Sequence, residues 1–345
     1  MKILFVALRH DYGIASRGLG FEYFNFYEPL VNLGHEVTYF DLGASSTGVD
    51  GSADAAFADA VERNRPDLVF ALLFGDELSP TAIAEVTARG VPTLNWFADD
   101  HWRFEEFTSR YAPSFTWVAT TAQSALPKYA ALGVKNVIKS QWGAAHHRYR
   151  PSDLPIRHDV TFVGQVYGER REVIDGLVDS GLPVQTWGTG WQVRRWHRAA
   201  ARIPVVRHVG GRQLLARAQA STRCDQMQMI EIFGTSRVNV NLTESSQTGD
   251  AQIKGRTFEV PACRGFLLTG WAQNLESYYE PDREIVVFHD TTDLKDKALF
   301  YLSHESDRAR IASAGYARTL AEHTYERRFS AILATIGLPQ HEPLR

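Results

Sequence analysis

The chain has 345 residues, enough for two domains of ordinary size, and its 44% apolar and 22% charged content is that of a folded globular protein. A formal net charge of −3 exerts no general pull on nucleic acid or on an anionic membrane surface. Cys224 and Cys263 are too few for a disulfide scaffold or a cysteine-based zinc site, and they fit a reduced, cytoplasmic setting.

The opening MKILFVALRHDYG holds a short apolar run without a small-residue cleavage site, so Lys2–Leu8 is expected as a first strand and not as a signal peptide. No apolar run reaches the roughly 18 residues that a membrane span needs. The loop RHDYGIASRGLG (Arg9–Gly20) follows. It contains glycines but is no GxGxxG, so a plain dinucleotide site is not expected. His10 and Asp11 could orient a hydroxyl, and Gly13 would let backbone amides approach a phosphate or an acceptor. The same residues also suit an ordinary hydrogen-bonded loop.

A helix is expected over about Gly18–Leu33 with Gly34 as its stop, and its aromatic stripe Phe21–Leu30 reads as helix core. HEVTYFD, DLVFALLF, VPTLNWFADD, WVATTAQ and NVIKSQW continue the strands, about 25 residues apart with helices between, the pattern of a parallel sheet covered on both faces. FADDHW (Phe97–Trp102) closes the fourth of these strands. Asp99, Asp100 or His101 could deprotonate an acceptor hydroxyl there, and either aspartate could instead cap the next helix.

Residues 146–158 have two prolines, many charges and few aliphatics, and are expected to link an N-terminal domain (1–145) to a C-terminal one (159–325). His146 and His147, beside this linker, read as structural. The final stretch, 326–345, is expected as a helix and tail that pack back on the first domain. After the linker the alternation restarts with DVTFVGQ, a helix to about Gly181, and PVQTWGTG. Gly164 ends the strand and Arg170 and Arg171 open the helix, an arrangement that lets backbone approach a phosphate. The basic, tryptophan-containing stretch around Arg194–Arg212 could hold an anionic partner, but the overall charge favours a solvated basic face. RVNVNLT, FLLTG and EIVVF complete the second sheet, and Thr292–Ile336 is expected to be mostly helical.

One segment combines several signals. The strand Arg237–Thr243 leads into the small polar run Ser245–Gln252 and then a helix over Lys254–Arg264, stopped by a glycine. A strand, a small-residue loop and a cationic helix start suit an anion. Arg256 and Glu259 share one helix face, with Thr257 between them. Arg256, with Lys254 and Arg170, could neutralise a departing diphosphate, whose charge grows as it leaves. Glu259 could accept from two vicinal hydroxyls. The plainer reading is a surface ion pair.

EIFGTSRVNVNLTES, KGRTFEVPACRGFLLTG, EIVVFHDTTDLKDKALFYL and IASAGYARTLAEHTYERRF follow one another between Glu231 and Phe329. In that order they resemble the C-terminal domain of group 1 glycosyltransferases of the CgeB (spore maturation protein) type. WGA (Trp142–Ala144), YRP (Tyr149–Pro151) and DVTFVGQVYGERRE (Asp159–Glu172) add to the resemblance. It implies an α/β GT-B fold: two Rossmann-like, doubly wound domains facing an interdomain cleft. The C-terminal one would hold a nucleotide-sugar donor and the N-terminal one a hydroxyl acceptor, with no cofactor and no bound metal. The chain has no Asp-x-Asp. Glu259 matches the family's ribose-binding carboxylate, and the resemblance leans toward retention of anomeric configuration. If the enzyme inverts, Asp100 or His101 is the candidate base. The family's earlier glutamate, eight residues before, is Ala251 here, so its sugar contact would pass to Gln252 or Asp250. That gap leaves room for a non-catalytic two-domain module that closes on a nucleotide or sugar. A third possibility is another GT-B enzyme, an epimerase or a phosphorylase, although a phosphorylase cofactor lysine motif is not evident.

Overall fold

The structure, a computed structural model, describes residues 1–45, 52–191, 223–245, 247 and 249–338. The chain forms two compact units. One runs from Met1 to Ala145 and takes in the chain from Thr324 onward, and the other is His146–His323. The basic stretch around Arg194–Arg212 lies outside the described residues.

The first unit holds six strands: β1 (Lys2–Ala7), β2 (Glu36–Asp41), β3 (Leu68–Leu72), β4 (Thr93–Phe97), β5 (Trp117–Thr120) and β6 (Val137–Lys139). They form one parallel sheet in the order β2-β1-β3-β4-β5-β6. Ile3–Ala7, Leu68–Leu72 and Thr93–Phe97 are buried throughout, as strands covered by helices on both faces must be. The chain leaves β1 to one side for β2 and leaves β3 to the other side for β4. The loops that follow β1 and β3 therefore diverge and open a crevice at their carboxyl ends.

Helix Tyr325–Thr335 completes this unit's core. Thr324 caps it by accepting from the Arg327 amide at 3.3 Å, and the Tyr325 amide donates to the Ala144 carbonyl at 3.1 Å. Phe329 on this helix lies 5.2 Å from Phe26 and 5.4 Å from Phe70, ring to ring. The expected helix after β1 starts later than its pattern suggested, at Phe21, and widens into a π turn over Tyr23–Tyr27. Gly18 (φ 82°) breaks the chain before it, after a separate turn at Ala15–Arg17.

The second unit repeats the plan with β7 (His158–Val163), β8 (Val184–Trp187), β9 (Ser236–Asn241), β10 (Leu267–Gly270) and β11 (Val286–Phe288). All are parallel, in the order β11-β10-β9-β7-β8, so the strand order reverses between β7 and β9. Polar residues inside this sheet have partners: Thr161 donates to the Asn239 side chain at 3.1 Å, and the Asn239 amide donates to the Phe233 carbonyl at 3.2 Å. Among the described residues no helix is long and apolar enough to cross a membrane.

Candidate active site

The loops after β7 and β9 meet where the strand order of the second unit reverses. Arg170, at the start of helix Arg170–Asp179, ties them together. Its guanidinium donates to the Gln165 carbonyl of the first loop and to the Leu242 carbonyl of the second, both at 3.1 Å. It lies 3.7 Å from the centre of the Tyr167 ring. Only 5% of Arg170 is exposed, and burial pulls its pKa below the usual value. The Tyr167 hydroxyl donates to the Glu244 carbonyl and accepts from Nζ of Lys254, each at 3.2 Å. Tyr167 thus stands between two of the cations expected to serve a donor.

Gly164 has a packing role in this frame. Its amide donates to the Trp187 carbonyl at 2.9 Å, and its carbonyl accepts from Nε1 of Trp191 at 2.7 Å. A Cβ on Gly188, itself at φ 143°, would fall 2.1 Å from that carbonyl. Two glycines let the ends of β7 and β8 touch.

The expected cationic helix is Arg256–Ala262. It is shorter at both ends than its pattern implied. Its left-handed terminal residue is Arg264 (φ 56°), and not the glycine that follows. Gly265 is needed for another reason, since a Cβ there would come within 2.7 Å of the Phe233 carbonyl. Glu259 is fully buried, at 0% exposure. Its Oε1 lies 3.1 Å from the Tyr149 hydroxyl, which donates to it, and its Oε2 accepts from Arg256. The Arg256 side chain remains 30% exposed. Burial opposes its charge most, yet the Glu259 carboxylate, its hydrogen bond and the neighbouring Tyr149 together raise the guanidinium's pKa. Nε of Arg256 and Oγ1 of Thr257 are buried without a hydrogen bond among the described residues. Such orphaned atoms are scarce in folded proteins, and a bound ligand would satisfy them.

The loop that carries Ala251 folds back on itself. Glu244 and Ala251 form an antiparallel bridge, and the Gln252 amide donates to the Thr243 carbonyl at 3.0 Å. Asp250 is exposed and Gln252 half-buried.

His10, Asp11, Gly13, Asp99, Asp100 and His101 all belong to the first unit. Asp11–Gly13 is a tight turn in which Gly13 (φ 72°) donates to the His10 carbonyl at 2.8 Å. Nδ1 of His10 stands 3.9 Å from Asp41, a long ion pair at best. Asp99 and His101 are half-buried, and Asp99 occupies the cap position of helix Asp100–Arg103 without capping it. Asp100 points inward and is 2% exposed. One of its oxygens accepts from Thr108 at 2.6 Å and the other from Tyr129 at 2.7 Å. In this structure it anchors the core of its unit.

Burial raises the pKa of Asp100 despite the two donors, so the folded protein holds that proton more tightly than the unfolded chain. Its contribution is fully present below the ordinary carboxyl value of 3.8 and is lost as pH rises through the folded value. Wild type should therefore lose ground to Asp100→Asn as pH climbs from about 4 toward 7, a trend that urea unfolding at three pH values would read. A pH-independent gap between the two proteins would mean that the carboxyl is not shifted.

Two participants had no sequence signal of their own. Tyr149 reaches Glu259 across 110 positions, and Tyr167 reaches Glu244 and Lys254. Both lie in stretches that carried the family resemblance, but nothing local marked their hydroxyls. Among the described residues no group of three or more His, Cys, Asp or Glu is arranged to hold a metal ion.

Residues 170–334 match a family described as glycosyl transferase-like. The chain is 20% identical over 308 residues to the spore protein CgeB of Bacillus subtilis (strain 168), covering 84% of this chain and 91% of that protein. Among solved structures, Anabaena HepE in complex with UDP-glucose superposes with a TM-score of 0.64 at 13% identity, covering 98% of this chain and 99% of its own. A putative UDP-N-acetylglucosamine 2-epimerase from Listeria monocytogenes does so with a TM-score of 0.60 at 12% identity, covering 100% of this chain and 99% of its own. At such identities the structures speak for the fold, which transferases and epimerases share. The chain is thus similar to CgeB over most of its length, matches a glycosyl transferase-like family over residues 170–334, and has a two-domain α/β fold of the GT-B kind.

Proposed function

We propose that this protein is a glycosyltransferase that moves a sugar from a nucleotide-sugar donor to an acceptor hydroxyl. The observation that carries the reading is the cluster where β7 and β9 part: two half-exposed cations, Lys254 and Arg256, beside the buried acid Glu259. The glycosyl transferase-like match over residues 170–334 favours transfer over epimerisation.

In the reaction the bond from the anomeric carbon to the diphosphate oxygen breaks and a bond to the acceptor oxygen forms. The acceptor's proton ends on the nucleoside diphosphate or in solvent. Charge therefore grows on the diphosphate, and Lys254 and Arg256 are the residues that would stabilise it. Arg256 now covers Oε2 of Glu259. Turning its guanidinium to a phosphate would open that oxygen to the vicinal hydroxyls of a ribose. Tyr149 would hold the carboxylate in place through Oε1. Arg170 serves by fixing the two loops. Gln252 and Asp250 are the side chains we assign to the transferred sugar in place of Ala251. We expect retention of configuration, in line with the family resemblance, and Asp100, one of the two candidate bases beside His101, spends both oxygens inside the first unit. Proton NMR of the first-formed glycoside would read the anomeric coupling directly.

The test is a thermal-shift screen against nucleoside diphosphates and nucleotide sugars, beginning with UDP-glucose. A ligand at a hundred times its dissociation constant adds about 2.7 kcal/mol to stability. A nucleotide sugar should raise the melting temperature, and incubation with it should release the nucleoside diphosphate. Stabilisation without release, in the presence of varied acceptors, would favour the binding module.

A further inference from the structure

The crevice at β1 and β3 in the first unit carries a feature that the donor site does not use. Tyr12, on the loop after β1, and Phe74, on the loop after β3, are 49% and 48% exposed. Their ring centres are 5.5 Å apart at an interplanar angle of 81°, so together they form an open aromatic corner. Tyr12 is held at φ 52°, ψ 32°, a left-handed conformation that bulky residues rarely adopt. Strain of this kind concentrates at functional sites. It holds the ring on the outside of the turn at Asp11–Gly13. Two arginines flank the corner: the Arg17 guanidinium lies 5.9 Å from the Tyr12 ring and that of Arg103 lies 5.9 Å from the Phe74 ring. Arg103 also donates to the Phe74 carbonyl at 2.6 Å, which locks it to this loop. Among the described residues neither arginine forms an ion pair. Of the nearby acids, Asp76 is paired with Arg110 at 2.9 Å and Glu77 accepts the Gly75 amide at 2.7 Å. Asp11 precedes Tyr12 in the chain.

From this geometry we propose that the acceptor is an acidic saccharide: a pyranose stacked in the Tyr12–Phe74 corner, its carboxylate or phosphate facing Arg17 and Arg103. The inference rests on the glycosyltransferase reading, since it names the acceptor class of that enzyme. A pyranose has C–H faces that suit an aromatic ring, and the corner offers two such rings at right angles. Guanidiniums without an ion pair among the described residues, beside the rings, supply donors for an anionic group, although Glu77 also attracts Arg103. Open loops at a strand-order reversal are where ligands of such sheets bind.

The test uses the full chain and three soluble sugars: glucuronic acid, glucose 6-phosphate and glucose, with binding read by saturation-transfer NMR. At least one acidic sugar should bind, on the order of tenfold more tightly than glucose. The tighter of the two acids identifies the anion as carboxylate or phosphate. Tyr12→Gly accepts the left-handed backbone while it removes the ring, so the fold should survive while binding weakens on the order of tenfold. Tyr12→Trp should restore binding, and Arg17→Gln should erase the preference for the acidic sugars. Failure of both acidic sugars to bind, equal binding of glucose, or unchanged binding in Tyr12→Gly would overturn the proposal. Nucleotide stabilisation, measured on the same variants, should stay at the wild-type level. Its absence from wild type would defeat the donor reading and leave the sugar result standing on its own.

Discussion

Glu259→Ala is expected to lower stability by about 2–3 kcal/mol and to cut the stabilisation by a nucleotide sugar to about half or less. The stability loss follows from burial. Glu259 has no exposed surface, and its removal leaves the Arg256 guanidinium without its acceptor, while the Tyr149 hydroxyl keeps the Gln226 side-chain oxygen at 2.9 Å. Breaking a buried ion pair typically costs about 3–5 kcal/mol, and the 30% exposure of Arg256 lets water compensate part of that. Replacing both partners with methionine should be milder than Glu259→Ala alone, because no charge is then stranded. Urea unfolding of the three proteins checks this ordering. The ligand effect is a separate matter. If Glu259 receives ribose hydroxyls, loss of hydrogen bonds to a charged group should weaken donor binding on the order of ten- to a hundredfold. A nucleotide shift undiminished in Glu259→Ala would reduce the residue to a core ion pair and remove the donor site from this helix.

Most of the architecture could be read from the chain because its signals are local. KILFVAL, DLVFALLF and TLNWF are uninterrupted apolar runs, and such runs are what a strand buried on both faces requires. The glycine at 34 ends its helix at φ 79°, in the left-handed turn its position implied. Chain order supplied the parallel sheets, since strands and helices in alternation build a parallel sheet covered by helices. The site was legible only in part. Lys254, Arg256 and Glu259 are close in sequence, so their shared helix face follows from spacing. Tyr149 and Tyr167 reach them only once the second sheet has closed, and no periodicity encodes that meeting. Asp100 shows the opposite failure. Its place after a strand of a doubly wound sheet suggested an accessible base, but Thr108 and Tyr129 turn it inward, and they lie 8 and 29 positions away. Gly265 sits where a helix stop would, yet Arg264 takes the left-handed turn. The glycine's reason is a close approach to the Phe233 carbonyl, which no sequence pattern displays.

Arg170 separates a charge that touches the donor from one that builds the site. Arg170→Met should cost about 2–4 kcal/mol, because the carbonyls of Gln165 and Leu242 lose their common donor and the Tyr167 ring loses its stacked cation. Arg170→Lys is the decisive variant. Lysine keeps the charge, so a residue acting on the diphosphate as a point charge would preserve most of the nucleotide affinity. An ammonium cannot reproduce the planar fork that spans two carbonyls and lies flat on a ring. The geometry therefore predicts that Lys and Met behave alike. Both should lower the melting temperature, weaken nucleotide binding, and speed hydrogen exchange at the amides of residues 242–255. The loop exchange matters most. The Gln252 amide is held by Thr243 and Glu244 is held by Tyr167, so the loop on the proposed donor side keeps its form only while Arg170 grips its first residue. Slow exchange in Arg170→Lys, combined with weakened nucleotide binding, would return the guanidinium to direct contact with the phosphate.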